Sequence, residues 1–218
     1  MRKVLICCAF ILGSAAQAEE VVIAALGDSL TQGYGLPAEE GFVPQLQAWL
    51  DAEGVEAKIV NAGVSGDTTA GGRARVDWTL TPEVDAMIVT LGGNDMLRGL
   101  DPAQARGNID DILAAAKSAE VEVLLVGMSA PGNYGAGYKA EFEALYPDLA
   151  EAHGTQFYPD FFTGLLAEEK GAASARSETI QRYFQGDGIH PNAEGVALIV
   201  EDIGPAVAKL AAQAAEIR

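Results

Sequence analysis

Cysteine is nearly absent from this chain. Its 218 residues hold two, Cys7 and Cys8, adjacent to each other near the start. Beyond them there is no disulfide to staple the fold, no thiol nucleophile and no thiolate metal site. Histidine is as scarce, with only His153 and His190, so any chemistry that needs an imidazole has two candidates. Positive charge is also short: 14 Lys and Arg stand against 31 Asp and Glu, a formal net charge of −17 at pH 7. That surplus repels phosphate backbones and anionic lipid surfaces, which argues against nucleic acid or an anionic membrane as the main partner. No apolar run reaches the about 20 residues that span a bilayer. Neither G-x-x-x-x-G-K-S/T nor G-x-G-x-x-G occurs, which removes the nucleotide-phosphate reading of the glycine-rich turns.

The first residues carry their own signal. Met1-Arg2-Lys3 is followed by an apolar run from Val4 to Leu12 and by Ala16-Gln17-Ala18. A positive start, a short apolar centre and an A-x-A site predict a secretory signal peptide over 1–18. No lipoprotein-type site precedes Cys7 or Cys8, so no lipid anchor is expected. The expectation is a periplasmic or secreted bacterial protein with a single domain over 19–218. Arg2 and Lys3 leave with such a leader, so the mature chain is more acidic still.

Apolar, β-branched runs alternate with helical spacing along the rest. Candidate strands are Val21–Gly27, Ala57–Asn61, Ala86–Leu91, Val121–Gly127 and Thr155–Tyr158. Several are continuously apolar, as parallel strands covered on both faces are. Phe42, Val43, Leu46, Trp49 and Leu50 fall at helical spacing, with Pro44 in the first turn. Asp101-Pro102 reads as N-cap and first residue of a helix to about Ala119. A further helix is expected over about 137–152, bent or interrupted at Pro147. The last begins near Asn192, carries Val196, Leu198, Ile199, Ile203, Val207 and Leu210 toward the core, and should kink at Pro205. The stretch from Phe161 to Asp187 reads as short helices wrapping one side. Strand–helix alternation predicts the α/β class, a three-layer α/β/α sandwich around a parallel sheet.

The residues with chemical potential sit where those strands end. Leu26-Gly27-Asp28-Ser29-Leu30 leaves the first strand on a glycine turn, a place that presents a hydroxyl at the open edge of an α/β sheet. Serine is a weak nucleophile and needs a base within reach. His153 precedes Gly154 at a helix end, where it most simply caps carbonyls. His190 lies in Asp187-Gly188-Ile189-His190-Pro191, a turn short enough for Asp187 to accept the Nδ1 hydrogen and leave Nε2 for the Ser29 proton. Asn61-Ala62-Gly63-Val64-Ser65-Gly66 follows the second strand and Gly92-Gly93-Asn94-Asp95 the third. Glycine allows close backbone approach there, and an amide such as Asn94 can donate to a developing oxyanion. Serine, imidazole and carboxylate together point to a hydrolase that forms an acyl-enzyme.

Four segments in this order resemble the SGNH (GDSL) hydrolase superfamily. They are Gly27-Asp28-Ser29-Leu30, Asn61-Ala62-Gly63-Val64-Ser65-Gly66-Asp67-Thr68-Thr69, Leu91-Gly92-Gly93-Asn94-Asp95 and Asp187-Gly188-Ile189-His190-Pro191-Asn192. The chain is most similar to the bacterial branch of periplasmic acyl-CoA thioesterases, lysophospholipases and arylesterases. The resemblance implies a flavodoxin-like five-stranded parallel sheet of order 2-1-3-4-5. It implies Ser29 as nucleophile, His190 as general base and Asp187 as its orienter. It implies an oxyanion hole made by the Ser29 and Gly63 N–H groups and the Asn94 amide. It implies no metal or other cofactor. The loop Asp95 to Leu100 is similar to one that closes over an acyl chain, so Met96, Leu97, Pro131, Tyr134 and Ile189 are candidates for the acyl groove. The expected partner is a small-molecule ester or thioester, with carbohydrate O-acetylesterase activity as the alternative. No heptad run or exposed apolar stripe demands a dimer, so a monomer is expected.

Overall fold

A computed structural model describes residues 20–166 and 173–218. The predicted signal peptide, 1–18, lies outside the described residues. Five strands form one parallel sheet: β1 (Val21–Gly27), β2 (Ala57–Gly63), β3 (Ala86–Thr90), β4 (Glu122–Val126) and β5 (Gln156–Tyr158). Their order is β2-β1-β3-β4-β5, as expected. Helices α1 (Ser29–Gln32), α2 (Phe42–Ala52), α3 (Thr69–Thr79), α4 (Gly93–Leu97) and α5 (Pro102–Ser118) come before β4. Helix α6 (Ala136–His153) lies between β4 and β5. Helices α7 (Thr163–Leu166), α8 (Ala173–Tyr183) and α9 (Ala193–Ile217) complete the chain.

The continuously apolar strands still obey the alternation of side chains across a sheet. In β1, Ile23 and Ala25 join Phe42, Leu46 and Leu50 of α2 and Ile199, Ile203 and Val207 of α9. Their neighbours Ala24 and Leu26 face the other way, into a second core with Val76 of α3, Ile109 and Ile112 of α5 and Phe142 and Tyr146 of α6. Each central strand therefore feeds two cores, and a polar side chain on either face would be buried. Edge strand β2 differs: Ala57 and Ile59 are buried while Lys58 and Val60 are exposed.

Helix α5 starts where Asp101 accepts from the Ala103 N–H, with Pro102 in its first turn. Asn192 caps α9 through the Gly195 N–H. Both α6 and α9 continue through their internal prolines, Pro147 and Pro205. Helix α3 was not expected. Its sequence holds two glycines and little apolar residue, and only Thr69, Gly72 and Val76 are buried. Gly72 is needed because a Cβ there would lie 2.2 Å from Leu91 Cδ1. A face so narrow leaves little 3.6-residue periodicity to read. Among the described residues no helix is long and apolar enough to cross a membrane.

One consequence of the strand order matters for the site. β1 pairs with β2 on one side and β3 on the other, with Gly27 opposite both Gly63 and Thr90. The three C-terminal ends therefore meet where the winding reverses direction, the place where α/β sheets open a crevice.

Candidate active site

The first component is the turn out of β1. A Cβ on Gly27 would lie 2.0 Å from Thr31 Oγ1, so only glycine lets the chain fold this tightly. Asp28 then caps the one-turn helix α1, accepting from the Leu30 N–H at 3.0 Å. Ser29 is the first residue of α1, half-buried at the open edge. The helix ends at Gly33, φ 85°, and the N–H groups of Gly33 and Tyr34 both donate to the Ser29 carbonyl.

The second component comes from the loop between α8 and α9, 161 residues further along. His190 Nε2 lies 2.8 Å from Ser29 Oγ, and His190 Nδ1 lies 2.6 Å from Asp187 Oδ2. An ionised carboxylate can only accept, so Nδ1 carries the hydrogen and Nε2 is left as acceptor for the serine hydroxyl. The turn is held by Asp187 itself, whose Oδ1 accepts from the backbone N–H groups of Ile189 and His190. Gly188, at φ 66°, allows the reversal. Desolvation of the Asp187 carboxyl works to raise its pKa, but the ring and backbone hydrogen bonds and the His190 charge outweigh it and hold it at about 2. Asp187 is thus an anion throughout the range in which a protein of this kind works.

The ends of β2 and β3 bring the remaining candidates. Gly63 packs against α1: a Cβ there would stand 2.3 Å from Gln32 N and 2.9 Å from Asp28 O. Its N–H donates to Asn61 Oδ1 at 2.9 Å. Gly92, at φ 117°, turns the chain from β3 into α4. Asn94 follows, and its Nδ2 donates to the Asp67 carbonyl at 2.9 Å and to Asp28 Oδ2 at 3.3 Å.

Two supports beneath this edge escaped the sequence reading. The guanidinium of Arg75 donates to the Gly27 carbonyl (2.8 Å), the Ala62 carbonyl (2.6 Å) and Asp67 Oδ2 (2.7 Å). It ties the ends of β1 and β2 to the loop that carries Asp67. Asp95, 2 % exposed, accepts from both the N–H and the hydroxyl of Thr69, and Asn108 donates to that same hydroxyl. Arg75 was missed because its helix was missed; a basic residue on a helix just after a strand-end glycine loop is the signal that was available. Asp28 itself was read only as a motif letter. It is 2 % exposed, and burial pushes its pKa up to about 6 against the hydrogen bonds from Leu30 and Asn94 and the charge of His190.

The acyl-groove candidates divide. Leu97 (50 % exposed), Tyr134 (43 %) and Ile189 (45 %) stand on the surface. Tyr134 Oη donates to the Leu97 carbonyl at 3.3 Å, joining the short 3₁₀ turn Gly132–Tyr134 to the loop after α4. Ile189 belongs to the His190 loop. Pro131 is exposed just before that turn, whereas Met96 packs against the core shared by α3, α5 and α6. His153 is elsewhere, closing α6 ahead of β5, with its Nε2 2.7 Å from Asp110 Oδ1. Among the described residues no three His, Cys, Asp or Glu side chains are grouped as metal ligands. What the open edge offers is a hydroxyl against an oriented imidazole, flanked by amides.

Comparison with known proteins identifies the family. The GDSL-like Lipase/Acylhydrolase family matches residues 25–198. Esterase TesA of Pseudomonas aeruginosa is 35 % identical over 195 residues, 89 % of this chain and 91 % of the relative. A TesA crystal structure superposes with a TM-score of 0.75, covering 87 % of this chain and 99 % of the other. An arylesterase of Vibrio mimicus is 31 % identical, covering 92 % of this chain and 94 % of the relative. The Escherichia coli protein described as thioesterase 1/protease 1/lysophospholipase L1 is 34 % identical, covering 86 % and 82 %. With its sheet order, its strand-end glycine turns and this similarity over most of its length, the chain belongs to the GDSL-like Lipase/Acylhydrolase family.

Proposed function

We propose that this protein is a serine hydrolase of small carboxylic esters and thioesters that works through an acyl-serine on Ser29. The observation that carries the reading is the pair of contacts at His190, 2.8 Å to Ser29 Oγ and 2.6 Å to Asp187. Ser29 Oγ attacks the carbonyl carbon while His190 Nε2 takes its proton; Asp187 holds the ring and stabilises the imidazolium. The carbonyl π electrons move to oxygen. That oxyanion accepts from the Ser29 N–H, the first amide of α1, and from Gly63 N–H and Asn94 Nδ2, where it takes the place of Asn61 Oδ1 and one of the two acceptors Asn94 now holds. The C–O or C–S bond breaks as the tetrahedral intermediate collapses, and His190 returns its proton to the leaving alcohol or thiol. Water then attacks the acyl carbon as His190 takes its proton, the acyl C–Oγ bond breaks, and the proton returns to Ser29 Oγ as the carboxylic acid leaves.

The exposed Leu97, Tyr134 and Ile189 favour an acyl chain over an acetylated sugar as the group held at the rim. The leader-like sequence of 1–18 supports export, and the protein is taken to act as a monomer. The decisive experiment is Ser29→Ala assayed on p-nitrophenyl acetate, beside fluorophosphonate labelling of the wild type. Loss of nearly all turnover and a phosphonylated Ser29 peptide are expected. Full turnover by the variant overturns the assignment.

A further inference from the structure

The hydroxyl and imidazole come from segments 161 residues apart, yet the mechanism needs them within hydrogen-bond reach. The loop that carries His190 is closed on itself at its base. Phe184 and Pro191 form an isolated antiparallel bridge, and the Asn192 N–H donates to the Tyr183 carbonyl. Those bonds fix the loop's shape, not its position over Ser29. Gln185 connects the two. Its backbone N–H donates to the His190 carbonyl and its own carbonyl accepts from the Gly188 N–H. Its side-chain Nε2 donates to the Pro191 carbonyl at 3.0 Å and to the Tyr34 carbonyl at 2.8 Å. Tyr34 in turn donates its N–H to the Ser29 carbonyl at 3.1 Å. The chain of bonds thus runs from the nucleophile's own peptide to the two peptides that follow the base.

Two independent features converge on the same spot. Gly35, at φ 77°, leaves room for the amide: a Cβ there would lie 2.2 Å from Gln185 Oε1. The Tyr34 ring lies over the imidazole, centroids 4.7 Å apart and planes tilted by 41°, although 51 % of Tyr34 is open to water. An exposed tyrosine has little reason to stay there for burial alone. The groups around His190 are Asp187 on its own loop, Ser29 and Asp28 on the nucleophile turn, and Tyr34. The ring face of Tyr34 suits a neighbour that becomes a cation at each proton transfer.

We propose that Tyr34 and Gln185 form a clamp of positioning residues that sets the distance between Ser29 and His190. Gln185 locks the His190 loop to the nucleophile turn, and the Tyr34 ring restrains the imidazole against rotation. This rests on the serine-hydrolase reading above. Both act through the Ser29 turn and the His190 ring rather than on the ester, so the signature is a loss of kcat that does not depend on the acyl group.

The test compares wild type with Gln185→Leu, Tyr34→Ala and Tyr34→Phe on p-nitrophenyl acetate and p-nitrophenyl octanoate, with thermal unfolding of each and fluorophosphonate labelling of Ser29. Gln185→Leu is expected to lower kcat about 10- to 100-fold on both esters, the scale of a sub-ångström to ångström misplacement, with KM changed by less than about twofold. Tyr34→Ala is expected to lower kcat about two- to fivefold and Tyr34→Phe to restore it, as a ring-face contact with a cation requires. Wild-type kcat in both Gln185→Leu and Tyr34→Ala overturns the clamp. So does a KM rise that grows with acyl length, which makes Tyr34 a substrate contact, or a Phe variant as slow as Ala, which assigns the effect to the hydroxyl. If Gln185→Leu fails to fold, the Tyr34 pair decides. Failure of the underlying reading looks different: the wild type itself is then unlabelled at Ser29, or Ser29→Ala keeps its activity.

Discussion

Asp28 offers the most quantitative check, because it sets a stability cost against a catalytic use. Its carboxyl is buried beneath the nucleophile turn, and its pKa is raised from 3.8 to about 6. A raised carboxylate pKa means that the folded state binds the proton more tightly than the unfolded state. The native protein therefore loses stability as pH rises from below 3.8 through 6 and regains none of it above. A shift of this size corresponds to about 3 kcal/mol in all, of which about 2 kcal/mol falls between pH 4.5 and 8. Asp28→Asn removes the ionisation and with it this pH dependence. It also creates a mismatch. Asp28 Oδ1 faces the Leu30 N–H and Oδ2 faces the Asn94 amide, so an asparagine that keeps its oxygen on Leu30 turns an NH₂ toward the NH₂ of Asn94. That donor–donor conflict costs about 1–3 kcal/mol at every pH.

The assay is urea unfolding of both proteins at pH 4.5 and pH 8. The variant is expected to be less stable at pH 4.5 and to gain about 2 kcal/mol on the wild type by pH 8. The difference between the two pH values is the diagnostic quantity, because the mismatch cancels from it. A stability difference that is the same at both refutes the claim that Asp28 is a costly buried anion. Turnover should fall regardless, by about 10²–10³ if Asn94 is pushed away from the oxyanion.

Three further outcomes follow from the same geometry. Asn94→Ala should lower kcat by about 10²–10³ on p-nitrophenyl acetate with little change in KM, since the proposed mechanism uses the amide in the transition state rather than for ground-state binding. Arg75→Met should destabilise the fold by about 2–4 kcal/mol in a urea titration, because two strand-end carbonyls and Asp67 lose a charged donor together, and kcat should fall with it. Asp187→Asn should lower kcat by about 10⁴, because an amide facing Nδ1 can hold the wrong tautomer. The lowered pKa of Asp187 means it adds stability above pH 3.8 that is lost as pH falls through about 2; an acid titration of Asp187→Asn should lack that component.

How much of this was legible without coordinates depends on the kind of force involved. The central strands could be read because burial on both faces demands unbroken apolar runs such as Val21–Leu26 and Ala86–Val89. The cap Asp101 and a helix start near Asn192 could be read because a helix start needs a side-chain acceptor and little else. Helix α3 could not, because Gly72 is there to let Leu91 approach and so leaves no periodic mark. Met96 was grouped with surface neighbours although it packs inward, since a short helix such as α4 gives no period to tell its two sides apart. Gln185 and Tyr34 carry no local signal, and Arg75 only that of a basic residue on a helix with no apolar period: each acts on carbonyls or rings supplied by distant segments.

By itself the sequence determined the class of fold, the strand ends at which chemistry could sit, and which serine, histidine and carboxylate stood there. Those follow from local rules, in which apolar pattern, glycine and caps act within a few residues. Only the tertiary structure decided that the strand ends meet at one edge, that the Asp28 carboxyl is buried beside Ser29, and that Arg75 and Gln185 bind segments together. A hydrogen bond between residues 29 and 190 is fixed by the packing of everything between them, and no short stretch of chain encodes that.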